Sequence, residues 1–186
     1  MNAKTMMFAV AVSVMFWAGA ASAQSQRTAY GPICDTNARV GSTTYYSCSG
    51  SSHTALDMSN RTCSEWNHRA MLAGSFYYTF YSGCANSCGS CSSGCCNGGA
   101  GNYARVTGAA GWDFAQLHFN TSANSYSRTC DRCALGLVGS TGSSTAAHVH
   151  AHNRKDGVRQ SSWYTKAGTT CGSSAYCGNV VGYPTL

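Results

Sequence analysis

Acidic side chains are scarce: 6 among 186 residues, with Glu65 the only glutamate. Charge of either sign is thin, at 10% of the composition, whereas 44% is hydrophobic. Disordered chains combine few apolar groups with high net charge, so that class is excluded. Proline occurs only at Pro32 and Pro184, and no long linker divides the chain. There is no clear internal repeat. Beyond the first two dozen residues, no stretch is long and apolar enough to span a bilayer. The 12 Lys and Arg residues include arginines scattered singly, without the stripe that marks a nucleic-acid binder. A nucleic-acid partner is therefore not expected.

What is abundant is cysteine, with 12, and glycine, with 21. So many thiols argue against a reducing cytosol. Lys4 precedes an apolar run over 6–18, broken only by Ser13, and Ala21-Ser22-Ala23 offers small residues for cleavage before Gln24. Residues 1–23 therefore read as a cleaved secretory signal and 24–186 as one domain. The expected destination is secreted, extracellular or periplasmic, with no stable membrane insertion after cleavage and a monomeric state.

Short alternating runs between glycines and serines predict strands over 101–106, 112–119, 135–138 and 147–151, with a turn over 108–111. Residues 63–73 are the one candidate for a short helix. The pattern as a whole points to a mainly β domain. Residues 84–96 form an island with five cysteines and no aliphatic side chain able to build a core. Disulfides pinning a loop are the favoured reading, and a metal knuckle using Cys88-x-x-Cys91 is the alternative. Cys130 with Cys133 and Cys171 with Cys177 are plausible local pairs.

Three groups of histidines carry the chemistry. In Ala147-His148-Val149-His150-Ala151-His152, strand alternation sends three imidazoles to one face. A surface strand can also carry histidines without function. In His53-Thr54-Ala55-Leu56-Asp57, a spacing of four puts imidazole and carboxylate on one side of a helix or a strand. The third group is Gln116-Leu117-His118-Phe119. Imidazole and carboxylate are ordinary zinc ligands, and three protein ligands plus a water make an open catalytic site.

The run from Val138 through Gly139-Ser140-Thr141-Gly142 to His148-Val149-His150 resembles the signature of lysostaphin/LytM-type zinc endopeptidases, which ends in His-x-His. The upstream His53-x-x-x-Asp57 and the middle His118 match that family's other motifs in order, over about 51–157. The resemblance implies a small antiparallel β domain with a groove above the sheet. It implies Zn2+ held by His53, Asp57 and His150, with His118 and His148 beside the attacking water as catalytic residues. It further implies peptidoglycan peptide as substrate, often at glycine-containing bonds. A His-Glu-x-x-His motif is absent, which favours histidine-assisted chemistry.

Ala55 stands where the family usually has glycine, and Gln116 where tyrosine is common. Alanines flank the final pair instead of proline and phenylalanine. These departures touch groove shape and specificity and remove no ligand. Tyr45 or Tyr46 is a candidate hydroxyl for the oxyanion or a packing residue. Trp112 and Trp163 either border the cleft or lie in the core. His152 reads as a groove-rim residue or a solvated strand end, and His68 as structural. Asn60 and Asn120 head glycosylation acceptor patterns, and both are expected to be unoccupied. Two other readings compete with an enzyme: a non-catalytic module binding cell wall on the same fold, and a cysteine-rich structural or toxin-like protein.

Overall fold

In the computed structural model, residues 24–33, 39–40, 52–59, 67–89, 94–120, 126–164 and 180–186 are described. They are organised as antiparallel β-structure, with one 3-10 turn (Cys96–Gly99) and no α-helix among them. The strands are β1 (Ala29–Tyr30), β2 (Arg39–Val40), β3 (Leu56–Ser59), β4 (Asn67–Arg69), β5 (Phe76–Tyr81) and β6 (Asn102–Thr107). They continue with β7 (Trp112–Phe119), β8 (Arg128–Cys130), β9 (Ala134–Leu137), β10 (Val149–Lys155), β11 (Val158–Gln160) and β12 (Val180–Gly182). The main sheet runs β2-β3-β10-β7-β6-β5-β8, and β11 adds to β10. The pairs β1–β12 and β4–β9 form two small sheets.

Three of the four expected strands are present to within one residue at each end, with 112–119 matched at both; the fourth, expected over 147–151, starts two residues later and runs four further, to Lys155. The β6–β7 hairpin closes through Gly108 N to Trp112 O at 2.8 Å. Its turn places Ala110 at φ 49° and Gly111 at φ 81°; a Cβ on Gly111 would fall 1.9 Å from Asp156 Oδ1. Along β6, Ala104 and Val106 are buried while Tyr103 and Arg105 stay half-exposed. On β10, Val149 and Ala151 enter the core, so the intervening imidazoles share the other face. The core gathers Leu56, Met58, Leu72, Tyr78, Phe114 and Phe119 on one side of the sheet. Each such side chain contributes about 1.5–3 kcal/mol by leaving water.

The helix expected over 63–73 is replaced, where described, by extended chain. Asn67–Arg69 pairs with β9. Beyond it, Ala70 N donates to Cys133 O at 2.9 Å, and Met71 O accepts from Tyr30 N at 2.8 Å. Neighbouring strands claim these backbone groups, and tertiary pairing overrides a short window's helical preference. Residues 61–66 lie outside the described residues.

Within the cysteine island, Cys84–Cys96 and Cys88–Cys95 form nested disulfides, and Cys130–Cys133 pairs as expected. Cys88 is thus committed to a bridge, which leaves no ligand there for the knuckle reading. Cys91, Cys171, Cys177 and residues 1–23, expected to be a secretory signal, lie outside the described residues. No described helix is long and apolar enough to cross a membrane.

Candidate metal centre

The β3–β10 ladder sets His150 directly opposite Asp57. Opposed residues project to the same face, with Cβ atoms roughly 4.5–5.5 Å apart, so sheet register alone brings the pair together. His150 Nδ1 lies 2.8 Å from Asp57 Oδ1. His53, just before β3, places its Nε2 3.0 Å from Asp57 Oδ2. One carboxylate thus faces an imidazole with each oxygen.

His118 reaches the same face by a different route. Gln116 lies opposite Ala104 and turns to the core side; strict alternation would send His118 there too. Instead His118 adopts φ 66°, and the β6–β7 register shifts beside it, between Asn102 and Ala104. This bulge-like break redirects the imidazole to 4.7 Å from the His148 ring and 5.7 Å from that of His150, centroid to centroid. Phe119 then falls to the core side and stacks on His68 at 4.1 Å. A left-handed backbone on a histidine costs about 1–3 kcal/mol and persists only where its surroundings enforce it.

Those surroundings are the loop before β10. His118 Nδ1 lies 2.7 Å from Thr141 O. The Thr141 hydroxyl donates to Phe119 O at 2.7 Å and accepts from Asn102 N at 2.9 Å. Gly101 permits this approach, since a Cβ there would lie 2.2 Å from Thr141 O. The nested disulfides brace the same loop: Cys88 N donates to Gly142 O at 2.9 Å, and Ser143 N to Gly99 O at 2.8 Å. His148 Nδ1 meets Ala146 O at 2.8 Å, and its Nε2 sits 3.8 Å from Asp57 Oδ1. A carbonyl only accepts, so both rings carry their proton on Nδ1. In the neutral ring that leaves Nε2 as the basic nitrogen.

Burial alone would raise the Asp57 carboxyl. Hydrogen bonds with His150 and His53, together with the adjacent imidazoles, hold it well below the usual carboxylate range. Burial pushes His118 down to about 3, helped by His148 and His150 and partly opposed by Thr141 O and Asp57. His118 is therefore neutral at pH 7. Two overlapping donor groups result: His53–Asp57–His150 and His118–His148–His150, each with ligand atoms within 4.8 Å of one another. Either could hold a metal ion. The first offers two imidazole nitrogens and a carboxylate oxygen, the donor chemistry of an open zinc site.

The five residues singled out from the sequence therefore lie together. His68 is fully buried and structural, with its Nε2 2.8 Å from Gln116 Nε2. Gln116 also accepts from Met71 N at 2.9 Å and donates to Arg69 O at 2.9 Å, so it is a hub in the core. His152 is not a solvated strand end: it is 4% exposed and packs edge-on against His150 at 5.6 Å. Trp163 is core, against Phe114 at 5.2 Å, while Trp112 is half-buried. Tyr45 and Tyr46 lie outside the described residues. The tyrosine beside the site is Tyr164, whose hydroxyl donates to His53 O at 3.4 Å. No local motif marks it, since 111 positions separate the two residues.

No family model matches the chain, and no characterised protein aligns with its sequence. Solved structures do resemble it. A chain in a structure of the SpoIIIAH and SpoIIQ complex superposes with TM-score 0.51 at 17% identity, over 71% of this chain and 95% of the other. A chain of the SpoIIQ-SpoIIIAH pore forming complex gives 0.52 at 17% identity, over 73% and 89%. The catalytic domain of the antimicrobial peptidase lysostaphin from Staphylococcus simulans gives 0.46 at 18% identity, over 67% and 88%. At these identities the likeness is one of fold.

Proposed function

We propose that the chain is a secreted zinc-dependent endopeptidase that hydrolyses peptide bonds of bacterial peptidoglycan, glycine-containing bonds among them. The observation that carries this reading is the convergence of His53, Asp57 and His150 on one point, with two further imidazoles alongside. His53 through Nε2, Asp57 through a carboxylate oxygen and His150 through Nδ1 would hold the metal. Zinc in such a site supplies Lewis acidity, polarising a carbonyl and lowering the pKa of a coordinated water.

The remaining work falls to the chain's own side chains. His118 and His148 each present a basic Nε2 to the site, with Nδ1–H anchored on a backbone carbonyl. One Nε2 takes a proton from the attacking water as its oxygen adds to the scissile carbonyl. That proton passes to the leaving amine as the C–N bond breaks, so the side chains return to their starting state. Glycine at the scissile bond suits a site closed on two sides by imidazoles, because no side chain projects from its α-carbon.

The test is metal analysis joined to a turbidity assay on purified peptidoglycan, with and without chelator. The expected result is about one zinc per chain and clearing that chelator abolishes. A metal-free protein, or a His150→Ala variant that keeps both metal and hydrolysis, would sink the reading. One rival has an observation in its favour: the two structural neighbours with the higher TM-scores come from a protein complex. A binding role would show as zinc retained and peptidoglycan bound without hydrolysis.

A further inference from the structure

The face that carries the histidines continues across the sheet. Ala115 of β7 lies opposite His152 on one side and Arg105 on the other. Arg105 in turn faces Thr79, and Tyr103 faces Tyr81. Directly opposed residues share a face, so His150, His152, Arg105, Tyr103 and Tyr81 project from one face of the sheet, the two histidines buried and the other three half-buried. At about 4.8 Å per strand and 3.3 Å per residue, Arg105 lies about 12 Å from His150. That is three to four residues of an extended peptide.

The arrangement at Arg105 is ordered in advance. The Tyr81 and Tyr103 rings are parallel within 5°, with centroids 4.3 Å apart. The Arg105 guanidinium lies 5.2 Å from the Tyr81 centroid, and its Nη2 donates to the Tyr81 hydroxyl at 2.7 Å. Among the described residues no carboxylate pairs with it, and its Nε is buried without a partner. The contrast with Arg154 on the same face is direct, since Arg154 Nε already bonds Asp113 Oδ1 at 2.8 Å. A guanidinium has five N–H donors in a planar fork matched to a carboxylate. Arg105 spends one of them on Tyr81 and buries a second, the Nε–H, so a ligand would meet the remaining Nη donors.

We propose that Arg105, held on the Tyr81–Tyr103 stack, is a specificity-determining subsite for a carboxylate on the bound peptide, three to four residues from the bond that is cut. The substrate class rests on the peptidase reading, whereas the charge preference rests on Arg105 itself. An extended peptide lying over β7 between the histidines and β5 would bring an acidic side chain, or a chain-terminal carboxylate, within reach of the fork. The hydroxyl of Tyr81 fixes the guanidinium's direction, so little side-chain entropy is lost when the anion binds.

The test measures binding separately from cleavage. Acetylated pentaglycine amides carrying one Glu or one Gln, walked through each position, are titrated into the zinc-loaded full chain at low salt. Pentaglycine with a free carboxyl terminus forms a parallel arm that distinguishes a terminal from a side-chain source. The expected result is about tenfold tighter binding of one acidic peptide than of its amide counterpart. That ratio should fall to about one in Arg105→Gln and to an intermediate value in Tyr81→Phe, with zinc content and thermal midpoint unchanged. If Arg105→Gln fails to fold, Arg105→Lys replaces it, and loss of the fork should lower the ratio at least threefold. A ratio near one in the unmutated protein, or one that survives removal of the guanidinium, overturns the subsite. Acid preference without cleavage would instead overturn the peptidase reading and leave the subsite standing.

Discussion

The two halves of the site are built by opposite means. Asp57 and His150 are placed by regular strands and face each other as any cross-strand pair does, and His53 sits four residues before Asp57 in the chain leading into β3. His118 and His148 are placed by irregular backbone, a left-handed residue and the carbonyls of a glycine-rich loop. The regular half offers a carboxylate between two imidazoles and suits holding a cation. The irregular half fixes tautomers, presenting a basic nitrogen from each ring, and suits moving protons. Strand register is robust to small changes, whereas the loop depends on several specific contacts, so the two halves should fail differently.

The largest expected effect is on the regular half. Asp57→Ala should abolish both metal binding and hydrolysis, read by elemental analysis and peptidoglycan turbidity. Losing only one of the two would break the division. His118→Ala and His148→Ala should each lower kcat by about 10²–10⁴-fold while leaving about one zinc per chain. A fall in zinc to the level of Asp57→Ala would show that His118–His148–His150 is the metal group instead.

A smaller effect is expected one contact further out. Thr141→Val removes the hydroxyl joining Asn102 and Phe119, about 1–2 kcal/mol of hydrogen bonding. It should lower kcat roughly tenfold with KM and zinc unchanged, and Thr141→Ser should restore the rate.

The smallest effect is on stability. Burial lowers His68 well below its usual value and lowers His118 to about 3. The unfolded chain, with histidines near 6.5, therefore binds more protons than the folded one. Stability is full above about pH 6.5 and falls as pH drops below it, by up to about 1.4 kcal/mol per unit for each such histidine. Denaturant melts of metal-free protein at pH 7 and pH 5 measure this, and His68→Gln should flatten the slope.

The regular half was legible in the sequence because its signals are local. The strand over 112–119, the alternation of His148, His150 and His152, and the spacing from His53 to Asp57 each need only a few consecutive residues. The resemblance to lysostaphin/LytM motifs then joined them. What was not legible depends on distant partners. The helix expected over 63–73 yields to pairing with β9 and the N-terminal segment. The burial of His152 is a tertiary property that no run of neighbouring residues marks. The reversal at His118 is only weakly signalled, since histidine is enriched at positive φ among non-glycine residues yet rarely adopts it. Tyr164 arrives from the far end of the described chain, and the Arg105 stack appears only once β5 and β6 are set in register.

The nested bridges Cys84–Cys96 and Cys88–Cys95 hold the turn against which the Thr141–Ser144 loop rests. They touch none of the donors on β3 and β10. A reducing environment would therefore act on the molecule selectively, slackening the support beneath His118 and His148 while leaving the strand-paired donors in place. On the proposed reading, metal binding would then outlast hydrolysis.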